Sequence, residues 1–165
     1  MEVVLALDPG VTTGYCYGVG EDNVLYLAPG EHKFTMVEFY ELLEAFIGMH
    51  DHTNLIYEDF TYRNYARMGL DLTPVKIIGI IELFVERYEP LLMPTKQSAS
   101  TGKSFYNDDE LKRLGVYKVG KKHGRDATRH LLQWANFGGG GRYFNLAEMR
   151  LRMVEEEEIL GLVGG

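Results

Sequence analysis

Leu5-Ala6-Leu7-Asp8-Pro9-Gly10-Val11-Thr12-Thr13-Gly14 is the stretch on which the fold turns. Its apolar start continues Val3 and Val4 and has the length and composition of a fully buried strand. Asp8 closes that strand, Pro9 and Gly10 break it, and Thr12, Thr13 and Gly14 lead into another. A carboxylate at the end of a buried strand is dry on one side and open on the other, so it needs a partner. Two readings follow: Asp8 caps backbone N–H groups of its own turn, or it binds a cation together with other acids that converge on it.

Beyond this stretch, Gly14–Val19 reads as a second strand and Val24–Leu27 as a third, ended by Pro29 and Gly30. The tight connections make an antiparallel meander. Phe39, Leu42, Leu43, Phe46 and Ile47 fall on one helical stripe, which Gly48 stops. Asn54–Phe60 is a fourth strand, buried at its start and acidic at its end. Thr61–Leu72 reads as a loop rich in Tyr and Arg. Thr73 is the expected N-cap of an apolar helix Val75–Tyr88, with Pro74 in its first turn. Leu91-Leu92-Met93 is a short fifth strand closed by Pro94, followed by the polar stretch Thr95–Lys103. Asn107 caps a short helix, Asp108–Leu114, and His123–Phe137 is a long helix burying Ala127, Leu131, Trp134 and Ala135. The pattern is α/β, a mixed five-stranded sheet (antiparallel meander plus parallel strands) flanked by helices. Residues 1–137 read as the domain. Residues 138–165 read as a Gly-rich break and a C-terminal amphipathic, acidic helix carrying Leu146, Met149, Met153, Val154 and Leu160.

The 165 residues suffice for one domain with a real core, and 45 % apolar content excludes a disordered chain. No apolar run is long enough to span a membrane, and no basic-then-apolar leader opens the chain. The single cysteine, Cys16, lies in an apolar strand, and the expected compartment is the reducing cytoplasm. A formal net charge of −7 argues against a polyanion partner until its distribution is considered. Residues 1–60 carry one base and eleven acids, residues 61–130 thirteen bases and eight acids, and residues 131–165 three bases and five acids. A basic middle containing Lys121, Lys122 and Arg125 can meet nucleic acid while the acidic part faces away.

Three acids sit at the edges of buried elements: Asp8, Glu58 and Asp126, the last with His123 three residues before it on the same helical face. If strands one and four are neighbours, Asp8 and Glu58 stand side by side, and a divalent cation is the cheapest way to hold them. Asp59 alternates to the other face, and His130, one turn beyond Asp126, is within reach. Oxygen donors with one imidazole suit Mg²⁺ or Mn²⁺. Two such ions can activate a water and stabilise the leaving oxygen of a phosphodiester.

LALDPGVTTGY, LIYED and HGRDATRHLL, in this order, resemble the RuvC-like Holliday junction resolvases of the ribonuclease H-like superfamily, especially their short bacteriophage versions. The resemblance spans roughly residues 1–137. It implies a ribonuclease H-like fold and a metal-dependent endonuclease that cuts branched DNA at four-way junctions. It implies that Asp8 bridges two Mg²⁺ or Mn²⁺ ions, that Glu58 binds one and that Asp126 with His123 binds the other. It implies a catalytic lysine at Lys96, with Lys103 as a second candidate, and an aromatic that stacks on bases, for which Phe60 and Tyr62 are candidates beside Arg63. A phage-encoded chain would work in the host cytoplasm.

Two other classes compete. The Asp8–Thr13 loop is also similar to the phosphate loop of ATP-binding proteins of the sugar kinase, Hsp70 and actin type, but that fold needs two lobes and a second such loop is missing. A nuclease fold that serves only as a DNA-binding module is the other. Thr101-Gly102-Lys103-Ser104 fails as a P-loop because Gln97 stands where glycine is required. Paired cuts at a two-fold symmetric junction call for a homodimer. The helix Val75–Tyr88 is expected to supply the contact, with Ile77, Ile78, Ile80, Ile81, Phe84 and Val85 covering more than one face and Ile81 on the exposed side.

Overall fold

Period-two alternation sends Val4, Ala6 and Asp8 of β1 (Glu2–Asp8) to one face of a sheet and Val3, Leu5 and Leu7 to the other. From Val3 to Leu7 both sets are buried, and Asp8 at the end is half-buried, so β1 is a central strand covered on both sides. In the computed structural model, which describes residues 1–60, 71–101 and 103–164, β1 is followed by β2 (Thr13–Glu21), β3 (Val24–His32), α1 (Met36–Gly48) and β4 (Thr53–Glu58). Then come α2 (Thr73–Tyr88), β5 (Leu92–Gln97), α3 (Asp108–Arg113), α4 (Lys122–Phe137), β6 (Arg150–Met153) and α5 (Glu156–Gly164).

The sheet has six strands in the order β5-β4-β1-β2-β3-β6. β1, β2 and β3 form the antiparallel meander, whereas β4 runs parallel to β1, β5 parallel to β4 and β6 parallel to β3. One face packs on α4, with Ala127, Leu131, Trp134 and Ala135 against Val4, Ala6, Cys16 and Ile56. The other face packs on α1, α2 and α5 through Phe39, Leu43, Phe46, Ile77, Ile81, Phe84 and Ile159. Thr35 starts α1 with a reciprocal capping box, its hydroxyl accepting from the Glu38 N–H while the Glu38 carboxylate accepts from the Thr35 N–H. No described helix is long and apolar enough to cross a membrane. Cys16 is wholly buried, and burial pushes its thiol up to about 12, which makes it a core residue.

Several elements depart from expectation, each for a physical reason. The sheet has six strands because Arg150–Met153 pairs with Val24–Leu27; a single amphipathic helix after the glycines is replaced by this strand and α5. The glycines themselves make a 3-10 turn, Gly139–Arg142. β3 does not stop at Pro29 but runs to His32, with Pro29 opposite Cys16. β6 reaches only as far as Leu27, so at Pro29 the outer side of β3 is an edge, where the missing N–H costs nothing. Pro94 is tolerated within β5 for the same reason, since β5 is the outermost strand. The N-cap of α2 is Leu72, not Thr73, whose hydroxyl donates to Asp71 at 2.5 Å. α2 is also less apolar at its surface than its sequence implies. Ile77, Ile78, Ile81 and Phe84 form one buried stripe, Ile80 and Val85 pack at its margins, and Ile81 is fully buried instead of exposed.

Candidate active site

The parallel register of β1 and β4 pairs Ala6 with Ile56 and Leu7 with Tyr57, so Asp8 and Glu58 end adjacent strands side by side on the α4 face. The N-terminus of α4 is pressed onto the same place. Gly14 of β2 and Gly124 of α4 lack the β-carbons that would collide with the His123 and Gly30 carbonyl oxygens, at 1.9 and 2.8 Å respectively. The Glu31 carboxylate, from β3, accepts the His123 backbone N–H at 2.8 Å and so caps a helix whose own N-cap, Lys121, offers no side-chain bond.

This close approach brings His123 Nδ1 to 3.1 Å from Asp8 Oδ2. Asp8, His123 and Asp126 each offer a ligand atom, and the three atoms lie within 4.8 Å of one another. Glu58 flanks Asp8 on the other side. Burial, with the charges of Glu58 and Asp126 adding to it, pushes the Asp8 carboxyl up to about 6, against the pull of His123. Glu58 behaves oppositely. Burial alone would raise it, but its bond to His130 and the charges of His130 and Lys103 hold it below the ordinary carboxylate range. Asp8 is thus the group whose charge is least compensated, and a bound cation would relieve it. Three carboxylates and one imidazole are a donor set that fits Mg²⁺ or Mn²⁺.

Two buried bases from α4 reach the flanking acids. His130 Nε2 lies 2.9 Å from Glu58 Oε2, and Nδ1 lies 2.7 Å from Gln97 Oε1. Arg129 bonds Asp126 Oδ1 at 2.5 Å, the Tyr106 carbonyl at 2.6 Å, and Asp108. Lys103 Nζ stands 3.9 Å from the other oxygen of Asp126.

The remaining expected residues are dispersed. Lys96 is not brought to this cluster. It alternates with Gln97 along β5, so Gln97 takes the α4 face while Lys96 Nζ bonds Glu82 of α2 at 2.9 Å and lies over the Tyr57 ring. Phe60 packs at the margin of the core on the α1 and α2 side. Tyr62 and Arg63 lie outside the described residues. Lys122 is exposed and Lys121 half-buried just before His123. Arg125 stacks on Tyr117 with 4.5 Å to the ring centroid and donates to the Lys118 carbonyl at 2.9 Å, so its guanidinium is engaged within the protein. Gln97 is missed by a reading that closes β5 at Pro94; carrying the alternation on from Met93 through Thr95 places it on the site's face. Arg129 lies three residues after Asp126, an ion-pair spacing visible in HGRDATRHLL.

No family model matches the sequence, and no curated protein matches it. Solved structures do. RuvC of Thermus thermophilus in complex with a Holliday junction substrate superposes with a TM-score of 0.58 at 14% identity, over 86% of this chain and 97% of that one. The same Thermus thermophilus protein in a second structure gives 0.54 at 16% identity, over 84% and 96%. The yeast mitochondrial Holliday junction resolvase gives 0.52 at 14% identity, over 87% and 81%. The chain shares the fold of these structures, a mixed sheet flanked by helices.

Proposed function

We propose that this protein is a divalent-metal-dependent endonuclease that resolves four-way DNA junctions by paired incisions. The observation that carries the reading is the position of Asp8, between Glu58 on the neighbouring parallel strand and the His123–Asp126 pair on α4. A fold shared with a protein seen in complex with a Holliday junction substrate and with a Holliday junction resolvase supports the choice of substrate.

In this reading Asp8 serves both halves of the site, Glu58 one half, and His123 with Asp126 the other. A pair of Mg²⁺ or Mn²⁺ ions held there would supply an activated water and stabilisation of the leaving oxygen. Lys103, beside Asp126, is the lysine placed to meet the scissile phosphate. Lys121 and Lys122, next to the site, hold the flanking backbone, with Arg125 shaping their loop through Tyr117. One site makes one cut. Paired cuts therefore require a homodimer with two sites, and since the apolar stripe of α2 is spent inside the protomer, its interface is not that stripe. The assembled enzyme acts in the cytoplasm.

The test is cleavage of synthetic four-way, three-way, flap and linear duplex DNA by the purified protein with Mg²⁺, with Mn²⁺ and with chelator. Symmetric, metal-dependent nicks in the four-way junction are expected. Failure to cut any branched DNA with either ion would defeat the reading.

A further inference from the structure

Each carboxylate that flanks Asp8 is fastened by one oxygen to a buried base. For Glu58 the base is His130, whose ring is itself immobilised. Gln97 Nε2 donates to the His130 backbone carbonyl at 3.1 Å, which can only accept. That fixes the Gln97 amide with Oε1 toward the ring, so Nδ1 carries a hydrogen and donates to it. Nε2 then faces Glu58 Oε2, and a second proton between these two atoms completes the bond. Gln97 and His130 are 8% and 1% exposed, so the two bonds between them are buried. For Asp126 the base is Arg129, whose guanidinium is held at three points, on Asp126 Oδ1, the Tyr106 carbonyl and Asp108. Among the described residues no buried base fastens Asp8 in this way; its neighbours are His123, itself a candidate metal donor, and Glu58.

A carboxylate oxygen held in a fixed hydrogen bond keeps a lone pair, but the bond pins the plane of the group and competes with chelation, so the other oxygen is the one offered to an ion. Mg²⁺ binds through near-ideal octahedral geometry and takes single oxygens readily, whereas Ca²⁺ takes six to eight ligands and favours bidentate carboxylates. Resting on the metal-dependent reading above, we propose that Gln97, His130 and Arg129 are positioning residues. They confine Glu58 and Asp126 to one oxygen each and so make the site select Mg²⁺ or Mn²⁺ against Ca²⁺.

The experiment is isothermal titration of the full chain with MnCl₂ and, separately, with CaCl₂, for wild type, His130→Asn, His130→Gln and Gln97→Met. In His130→Asn the shortened amide can still meet Gln97 but not Glu58, which releases Oε2. His130→Gln keeps a donor near the place of Nε2. The Mn²⁺ over Ca²⁺ affinity ratio should fall at least about tenfold in His130→Asn, fall in the same direction in Gln97→Met, and be retained in His130→Gln. A residue that merely supports the fold would weaken both ions together and leave the ratio alone. If His130→Asn does not fold by circular dichroism, Gln97→Met decides. Wild-type binding of Mn²⁺ with an unchanged ratio in the folded variants overturns this inference and leaves the proposed function standing. Wild type that binds neither ion overturns both.

Discussion

Gly14 lies directly under the first turn of α4, so close to His123 that a β-carbon there would stand 1.9 Å from the His123 carbonyl oxygen. The colliding atom is backbone, which cannot swing away. Gly14→Ala should therefore lift the start of α4 and carry His123 and Asp126 away from Asp8. The expected cost is about 1–3 kcal/mol in urea unfolding, together with loss of Mn²⁺ binding while the fold persists. Unchanged Mn²⁺ affinity in a folded Gly14→Ala protein would show that this contact does not set the site.

Asp8→Asn and Glu58→Gln remove charge at nearly constant volume. Both should abolish cleavage and leave junction binding in place. Asp8→Asn should also raise the thermal midpoint of the metal-free protein at neutral pH, because it deletes the least compensated of the clustered charges. Nicking assays, gel shifts and melts in chelator read these three effects.

The displaced titration of Asp8 has a definite sign. An acid whose folded value is raised to about 6 keeps its proton in the folded protein after the unfolded chain has lost it. Between about pH 4 and 6 the unfolded state therefore binds fewer protons, and metal-free stability falls as pH rises through that window, by on the order of 2–3 kcal/mol from this group. Comparing wild type with Asp8→Asn in chelator isolates the effect. The same proton competes with the ion, so Mn²⁺ affinity should rise with pH up to about 6 and then level off.

Two lysines separate the faces of the sheet. Lys103→Ala should lower the cleavage rate by one to two orders of magnitude, on the order of the loss of one charged stabilising group. Lys96→Ala should leave it near wild type, since Lys96 pairs with Glu82 across the sheet from the acids. Equal loss in both variants would contradict the geometry.

Junction affinity should fall with salt at a log–log slope of about −0.9 per phosphate neutralised. Lys121→Ala with Lys122→Ala should flatten that slope by up to about two such steps. Arg125→Ala should instead lower stability, because its guanidinium covers Tyr117. Fluorescence anisotropy across a salt series distinguishes the two.

Much of this arrangement is legible in the sequence. Asp8 and Glu58 are marked by apolar runs that end in acid, and alternation alone assigns Glu58, not Asp59, to the face of Ile56. The spacing of His123 and Asp126 fixes their common side of α4. What escapes is what depends on strand ends and on neighbours distant in sequence. Pro29 and Pro94 signal breaks, yet both lie on edges where a proline is harmless, and so β3 and the residue Gln97 are misjudged together. The role of Arg129 escapes as well, because nothing local says that Asp108 and the Tyr106 carbonyl will close around it. The isoleucines of α2 count as excess only until the sheet and α1 absorb them.

The sixth strand has a bearing on solubility. Val24-Leu25-Tyr26-Leu27 is an uncharged apolar run of strand formers, and β6 is the element that covers its outer edge. The cover itself ends the sheet with Arg150 and Arg152, charges that discourage a further chain from adding on. Without that short strand, the open hydrogen-bonding rim of β3 would be a template for intermolecular pairing. The segment from Arg150 onward thus acts as a guard against self-association into aggregates, at the end of the sheet farthest from β5.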